Sequence, residues 1–186
     1  MVTTMQLLIP LLAASVGVFF ASALIHMVFK WHNADYLKLP NEDEVAAALR
    51  RASPPPGQYT LPHCADMKQM QTPEMQQKLK DGPNGFVILR ANGLPNMGKH
   101  LGQWFVLTLI VAGIVACICS VAFGAGAEHR RVFHVAALLT FAAYGVGPVV
   151  DGIWMGHPWR VVWKNVFDAA IYAGITGTAF ALLWPN

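Results

Sequence analysis

Four apolar runs constrain the fold of this chain more than any other feature. Residues 5–29 form the first run, about 25 residues without Asp, Glu, Lys or Arg, which is enough to cross a hydrocarbon core ~30 Å thick. The other runs cover residues 101–123, 132–150 and 161–184, the last beginning at Val161 or at Lys164. The pattern predicts an all-α, multi-pass membrane protein with four transmembrane helices.

The charge content agrees with that class. Only 12% of the 186 residues are charged, whereas soluble domains usually carry about 25%. The formal net charge of +3 is small and spread along the chain, which argues against nucleic-acid binding. A mild basic excess instead fits contact with anionic lipid headgroups, so we expect the lipid bilayer as a partner and no nucleic acid.

The runs divide the chain into three parts. Residues 1–29 contain the first transmembrane helix, residues 30–100 form a polar cap, and residues 101–186 contain the other three helices. The cap has too little apolar content to fold alone, so we expect it to pack on the membrane part.

Local signals predict a small α/β structure for the cap. Asn41 precedes three acidic residues, and Pro73 follows Thr72; both patterns are typical of a helix start. Residues 58–61 and 86–90 have the composition of short strands. We therefore expect helices and two strands between transmembrane helices one and two.

A tryptophan-rich hairpin at residues 151–164 joins the last two apolar runs and indicates a membrane–water boundary. Lys164 precedes Asp168 by four residues, so the two share a helix face and are expected to pair. Arg160 is placed to reach Asp151 across the turn. These four charges predict a salt-bridged clamp. The alternative is a proton or ion relay, which would need further polar groups within the last two spans.

Three histidines are predicted to lie at one membrane face, namely His26, His100 and His157. Imidazoles from neighbouring helices can ligate haem iron or hold a metal ion. The alternative is that they are boundary residues satisfied by water, backbone or lipid phosphate.

A second candidate metal site lies in the cap. Its members are soft or borderline ligands, the kind that suits Cu(I): His63, Cys64, Met67 and Met70. Because the two methionines also have helical spacing, the alternative is that they fill an apolar seam.

Small residues on the last two predicted spans favour close helix packing, within the protein or against a partner. They are Gly145, Gly147, Ala170, Gly174 and Gly177. No known catalytic motif is found in the sequence, so we expect no catalytic residues. These features favour a non-catalytic accessory or assembly subunit of a larger membrane complex, respiratory or photosynthetic, with other membrane-protein subunits as partners. The alternative function is a haem- or copper-binding membrane protein.

The basic residues give opposing signals for orientation. Arg130 and Arg131 lie in a short turn and mark it as cytoplasmic, whereas Arg160 and Lys164 favour the opposite face as cytoplasmic. We expect cytoplasmic termini and a periplasmic cap.

Three segments resemble a group of bacterial membrane proteins of unassigned function. They are PGQYTLP at residues 56–62, GPNGFVILR at residues 82–90 and AFALLWP at residues 179–185. The resemblance covers most of the chain after Pro56. It implies a four-helix protein of the bacterial inner membrane and carries no site residues or activity.

Overall fold

A computed structural model describes residues 2–186, which form seven helices and two strands. In chain order the helices are α1 (Thr4–Ala23), α2 (Glu42–Ala52), α3 (Met67–Met70), α4 (Pro73–Asp81), α5 (Met97–Ala122), α6 (His129–Trp154) and α7 (Trp159–Leu182). The strands are β1 (Gly57–Leu61) and β2 (Gly85–Leu89). The chain divides into two compact units, a helical unit built from α1, α5, α6 and α7 and a cap unit that covers Leu37–Pro95.

Three of the four predicted spans are confirmed as helices long and apolar enough to cross a membrane. They are Thr4–Phe29, Met97–Ala122 and His129–Trp154, each 26 residues long. The fourth predicted span, α7, does not reach that standard, so the count of four is not confirmed. The physical reason lies in its first three turns, where the charged residues Arg160, Lys164 and Asp168 lower the mean hydropathy of the helix.

The helical unit is a bundle in which α7 packs along α6 and α1, and α1 also packs against α5. Phe180 of α7 is fully buried, together with Val115 of α5 and Val132 of α6. A second cluster surrounds Val18 and Tyr172. Most of the remaining large apolar side chains of these helices are exposed in the isolated chain, as expected for a bundle that is surrounded by lipid.

The predicted hairpin between the last two runs is a short loop between two long helices. Gly156 has φ +70°, a left-handed conformation that glycine adopts without strain and that commonly ends a helix. The amides of Met155 and His157 both donate to the Asp151 carbonyl, at 2.9 and 3.4 Å. This turn closes α6 and lets α7 return along it.

Small residues let α6 and α7 approach closely. A Cβ atom added at Gly177 would lie 2.9 Å from Phe133 Cδ2 and 3.0 Å from Ala137 Cβ. Gly145 is also buried, and an added Cβ would lie 3.2 Å from Ala169 Cβ. Of the five predicted packing residues, Gly145 and Gly177 therefore lie in close contact between the helices. Gly147 and Ala170 are exposed, and a Cβ added at Gly174 would meet nothing within 4 Å.

The cap unit contains α2, α3, α4 and a two-stranded antiparallel sheet, in which Tyr59 of β1 is opposite Val87 of β2. Thr72 caps α4, since its hydroxyl accepts the Met75 amide at 3.3 Å. Within Leu37–Pro95, Met75 alone is buried. This unit is shorter than the predicted cap at both ends, because residues 30–36 and 96–100 belong to the helical unit.

Candidate metal centre

The candidate site is built by an irregular segment that follows α1. The helix widens into a π-helical turn at Leu24–Phe29, which contains His26. Lys30 then adopts a left-handed conformation with φ 54° and reverses the chain into a 3-10 turn at Trp31–Asp35. Isolated π-helical turns are rare and are often found at functional sites. The reversal brings the rings of His26 and His32 to a centroid distance of 4.6 Å.

Basic residues of α7 hold this segment in place. Lys164 Nζ donates to the Trp31 carbonyl at 2.7 Å, and the Arg160 guanidinium donates to the Ala34 carbonyl at 2.7 Å. The Trp31 ring also packs edge-on against Phe167, with centroids 5.5 Å apart. The side chains of α7 thus supply the hydrogen bonds that a short turn cannot supply itself.

His32 lies between two carboxylates. Its Nδ1 is 3.0 Å from Asp35 Oδ2, and its Nε2 is 2.8 Å from Asp168 Oδ2. His32 is buried, and so is Asp168 at 3% exposure, although Asp168 lies on the apolar helix α7. A buried carboxylate is costly unless it is paired, so the contact with His32 is a principal reason that Asp168 is tolerated there.

A third group converges on Asp168. His26 Nε2 lies 3.8 Å from Asp168 Oδ2, beyond hydrogen-bonding distance. One ligand atom each from His26, His32 and Asp168 can be chosen so that all three lie within 4.8 Å of one another. In the described residues, Asp168 Oδ1 is a buried oxygen without a hydrogen-bond partner. Two imidazole nitrogens and a carboxylate oxygen are a common ligand set for zinc and related divalent ions.

Asp35 supports this group from behind. Lys164 Nζ lies 2.7 Å from Asp35 Oδ1, and Arg160 approaches the same oxygen at 3.6 Å. The hydrogen bond from Lys164, aided by His32, holds the pKa of Asp35 below its usual value even though burial acts in the opposite direction. An ionised Asp35 accepts a hydrogen bond from His32 Nδ1, so Nε2 is the nitrogen that faces Asp168 and that could bind an ion in place of their 2.8 Å contact.

A cavity of about 480 Å³ opens beside the site. His26 and His32 line it, together with residues of the 3-10 turn and of the α6–α7 hairpin: Asn33, Asp35, Tyr36, His157, Pro158, Val161 and Asn165. The cavity gives solvent-sized molecules access to the two imidazoles.

The structure brings together only some of the residues that the sequence singled out. His26 belongs to the three-ligand group, His157 lines the cavity, and His100 lies in the first turn of α5, outside the group. Lys164 and Arg160 both approach Asp35 instead of the expected Asp168 and Asp151. The reason is that the 3-10 turn lies over the start of α7 and places its own carboxylate nearer.

The predicted copper cluster stays a prediction. Cys64 donates to the Asp66 carbonyl at 3.1 Å, and Met67 and Met70 lie in the four-residue helix α3, both exposed. His63 precedes Cys64 in the same loop.

Sequence reasoning missed His32 and Asp35. It assigned residues 30–100 to the cap, and so it did not consider that the chain could turn back onto the bundle after Phe29. A usable signal was present: His32 and Asp35 stand three residues apart immediately after an apolar run, beside Trp31. That spacing places an imidazole and a carboxylate on one side of a single helical turn.

Comparison of the chain with family models, with curated proteins and with solved structures found no match.

Proposed function

We propose that this protein binds a divalent transition metal ion, of which zinc is the best fit, at the boundary of a bacterial inner membrane. His26, His32 and Asp168 are the ligands, and Asp35 orients His32. The observation that carries the proposal is the convergence of three ligand atoms within 4.8 Å, one of them on a histidine whose other nitrogen is 3.0 Å from a carboxylate. A carboxylate behind a ligating histidine is the usual outer shell of a zinc site.

The ligand chemistry favours zinc over the haem and Cu(I) considered from the sequence. The His26 and His32 rings are inclined by only 32° at a centroid distance of 4.6 Å, so no porphyrin fits between them as bis-histidine haem ligation requires. Cu(I) prefers sulfur ligands, whereas this group offers nitrogen and oxygen.

The proposal includes α7 as a fourth membrane span. Its two ends reach both ends of the bundle, because Lys164 contacts the 3-10 turn while Trp184 Nε1 donates to the Gly124 carbonyl at 3.0 Å. A 24-residue helix is about 36 Å long, longer than the hydrocarbon core. The charges of α7 all lie near its start, where the 3-10 turn pairs with them. With the positive turn at Arg130 cytoplasmic, the metal site and the cap face the periplasm.

Zinc binding to the full chain in detergent tests the proposal. We expect one zinc per chain after equilibration, and we expect His26→Ala to weaken zinc binding by more than about 100-fold, since loss of an outer-shell partner alone costs 10–100-fold. His26 makes no short hydrogen bond to Asp168, so its removal should leave the melting temperature of the metal-free protein nearly unchanged.

Two further variants separate metal binding from structural pairing. Asp168→Asn keeps a hydrogen-bonding partner for His32 Nε2, because an amide can both donate and accept, and it should fold normally while it loses zinc. His134→Ala, in the first two turns of α6 at the far end of the bundle, should bind zinc like the wild type. Zinc affinity that survives both His26→Ala and Asp168→Asn would show that the metal binds elsewhere and would overturn the proposal.

The role of accessory or assembly subunit stays a prediction, and a metal site is compatible with it. Of the residues that suggested it, Gly147 and Ala170 remain exposed and are available to a neighbouring helix.

A further inference from the structure

We infer that the bound metal ion keeps one coordination position open to the cavity and takes a small anion there through oxygen. This inference rests on the proposed function and adds the class of ligand. A tetrahedral metal ion has four coordination positions, and three protein ligands leave the fourth one unfilled. Zinc sites with three protein ligands hold an exchangeable water in that position.

The position of the cavity indicates where the fourth ligand enters. His26 and His32 line the 480 Å³ cavity, whereas Asp168 is buried beneath them. Protein atoms therefore cover the ion on the Asp168 side, and the cavity lies on the imidazole side. Asn165 of α7 also lines this space and is half-buried, so its amide can donate to a ligand held there.

The charges around the cavity favour an anion. With a divalent ion bound, its charge adds to those of Lys164 and Arg160. The carboxylates of Asp35 and Asp168 offset only part of this charge, so the site has a net positive charge. His157 completes the polar wall on the hairpin side. An incoming anion displaces the bound water. The metal ion keeps its oxidation state, and the three protein ligands stay bound to it.

Cobalt in place of zinc makes the exchange visible, because the visible spectrum of Co²⁺ reports its coordination. We expect the full chain in detergent to give a four-coordinate cobalt spectrum that shifts on titration with acetate or inorganic phosphate. A separate titration with a short-chain phosphatidic acid shows whether the site prefers the oxygen of a lipid headgroup or that of a free anion.

Asn165→Asp provides the decisive variant. It conserves shape but places a negative charge on the cavity wall, and we expect acetate and phosphate to bind at least about tenfold more weakly, while cobalt binds as tightly as before or more tightly. A loss of anion affinity without any loss of cobalt affinity cannot arise from misfolding.

The outcomes are distinguishable. A four-coordinate cobalt spectrum that none of the three probes shifts would overturn the open position and leave the metal site standing. Anion affinity that is unchanged in Asn165→Asp would place the anion outside the cavity and would also overturn the inference. Absence of any cobalt or zinc binding would instead overturn the proposed function itself.

Discussion

Asp35 links the 3-10 turn to α7 through its contact with Lys164. It receives Lys164 Nζ at 2.7 Å on one oxygen and the His32 ring at 3.0 Å on the other. Its side chain is only 3% exposed, so these contacts are poorly screened by water. A single carboxylate thereby fixes both the turn and the orientation of a metal ligand.

The lowered pKa of Asp35 predicts a loss of stability in acid. Because the folded pKa lies below the ordinary value of 3.8, the carboxylate stabilises the fold fully above that value, and the contribution is lost as pH falls through the folded pKa. We expect the melting temperature of the metal-free protein in detergent to fall as the pH drops below about 4. Thermal unfolding followed at a series of pH values measures this.

Lys164→Met is the matched variant for that experiment. It removes the main cause of the lowered pKa, so the acid-dependent part of the fall should become smaller, whatever the variant does to stability at neutral pH. An unchanged acid-dependent fall in Lys164→Met would show that other carboxylates cause it.

At the level of elements, the long helices were the predictable part. Apolar length alone located Thr4–Phe29, Met97–Ala122 and His129–Trp154, because a membrane span must satisfy its backbone internally and so must be helical. The π-helical and 3-10 turns at 24–35 carry no such pattern, since their positions depend on tertiary contacts with Arg160 and Lys164.

The candidate site was only partly predictable for the same reason. His26 and Asp168 were singled out because each is polar at the edge of an apolar run. The pairing of Asp168 with His32, 136 residues away in sequence, depends on a chain reversal at Lys30. Local spacing instead suggested Lys164 as its partner.

Packing between α6 and α7 gives a prediction that two glycines of one helix can test. Gly177→Ala forces its new methyl group against Ala137 Cβ, which cannot rotate away, and against the Phe133 ring. Overpacking of this kind costs about 1–3 kcal/mol, while alanine returns about 1 kcal/mol of helix propensity. We therefore expect Gly177→Ala to lower the free energy of unfolding by about 1 kcal/mol.

Gly174→Ala is the control, three residues earlier on the same helix, where an added Cβ meets nothing within 4 Å. It gains propensity without a clash and should raise stability by up to about 1 kcal/mol. Unfolding of both variants in the same detergent measures the difference. Equal stabilities would mean that α6 and α7 are not in close contact at Gly177.

For the whole molecule, the decisive question is how many times the chain crosses the membrane. The C-terminal segment is tied to the turn between α5 and α6, where the Gly126 amide donates to the Pro185 carbonyl at 2.8 Å. Because α6 starts at that turn and α7 ends beside it, the two helices cover the same distance in opposite directions. We therefore expect α7 to cross the bilayer if α6 does, with both termini on the side of Arg130.

Cysteine labelling tests this arrangement, and we expect the cap outside and the C-terminus inside. A membrane-impermeant maleimide should label Cys64 in intact spheroplasts, since Cys64 lies in the cap unit and is half-exposed. In a Cys64→Ser background, Asn186→Cys should be labelled only after lysis. Cys117 and Cys119 lie within α5, and the Cys64→Ser protein alone measures any signal from them.

Labelling of Asn186→Cys in intact spheroplasts together with Cys64 would mean three crossings, with α7 lying outside the bilayer. Labelling of Cys64 only after lysis would invert the orientation and place the metal site on the cytoplasmic side, where the same ligands would meet the metal ions of the cell interior.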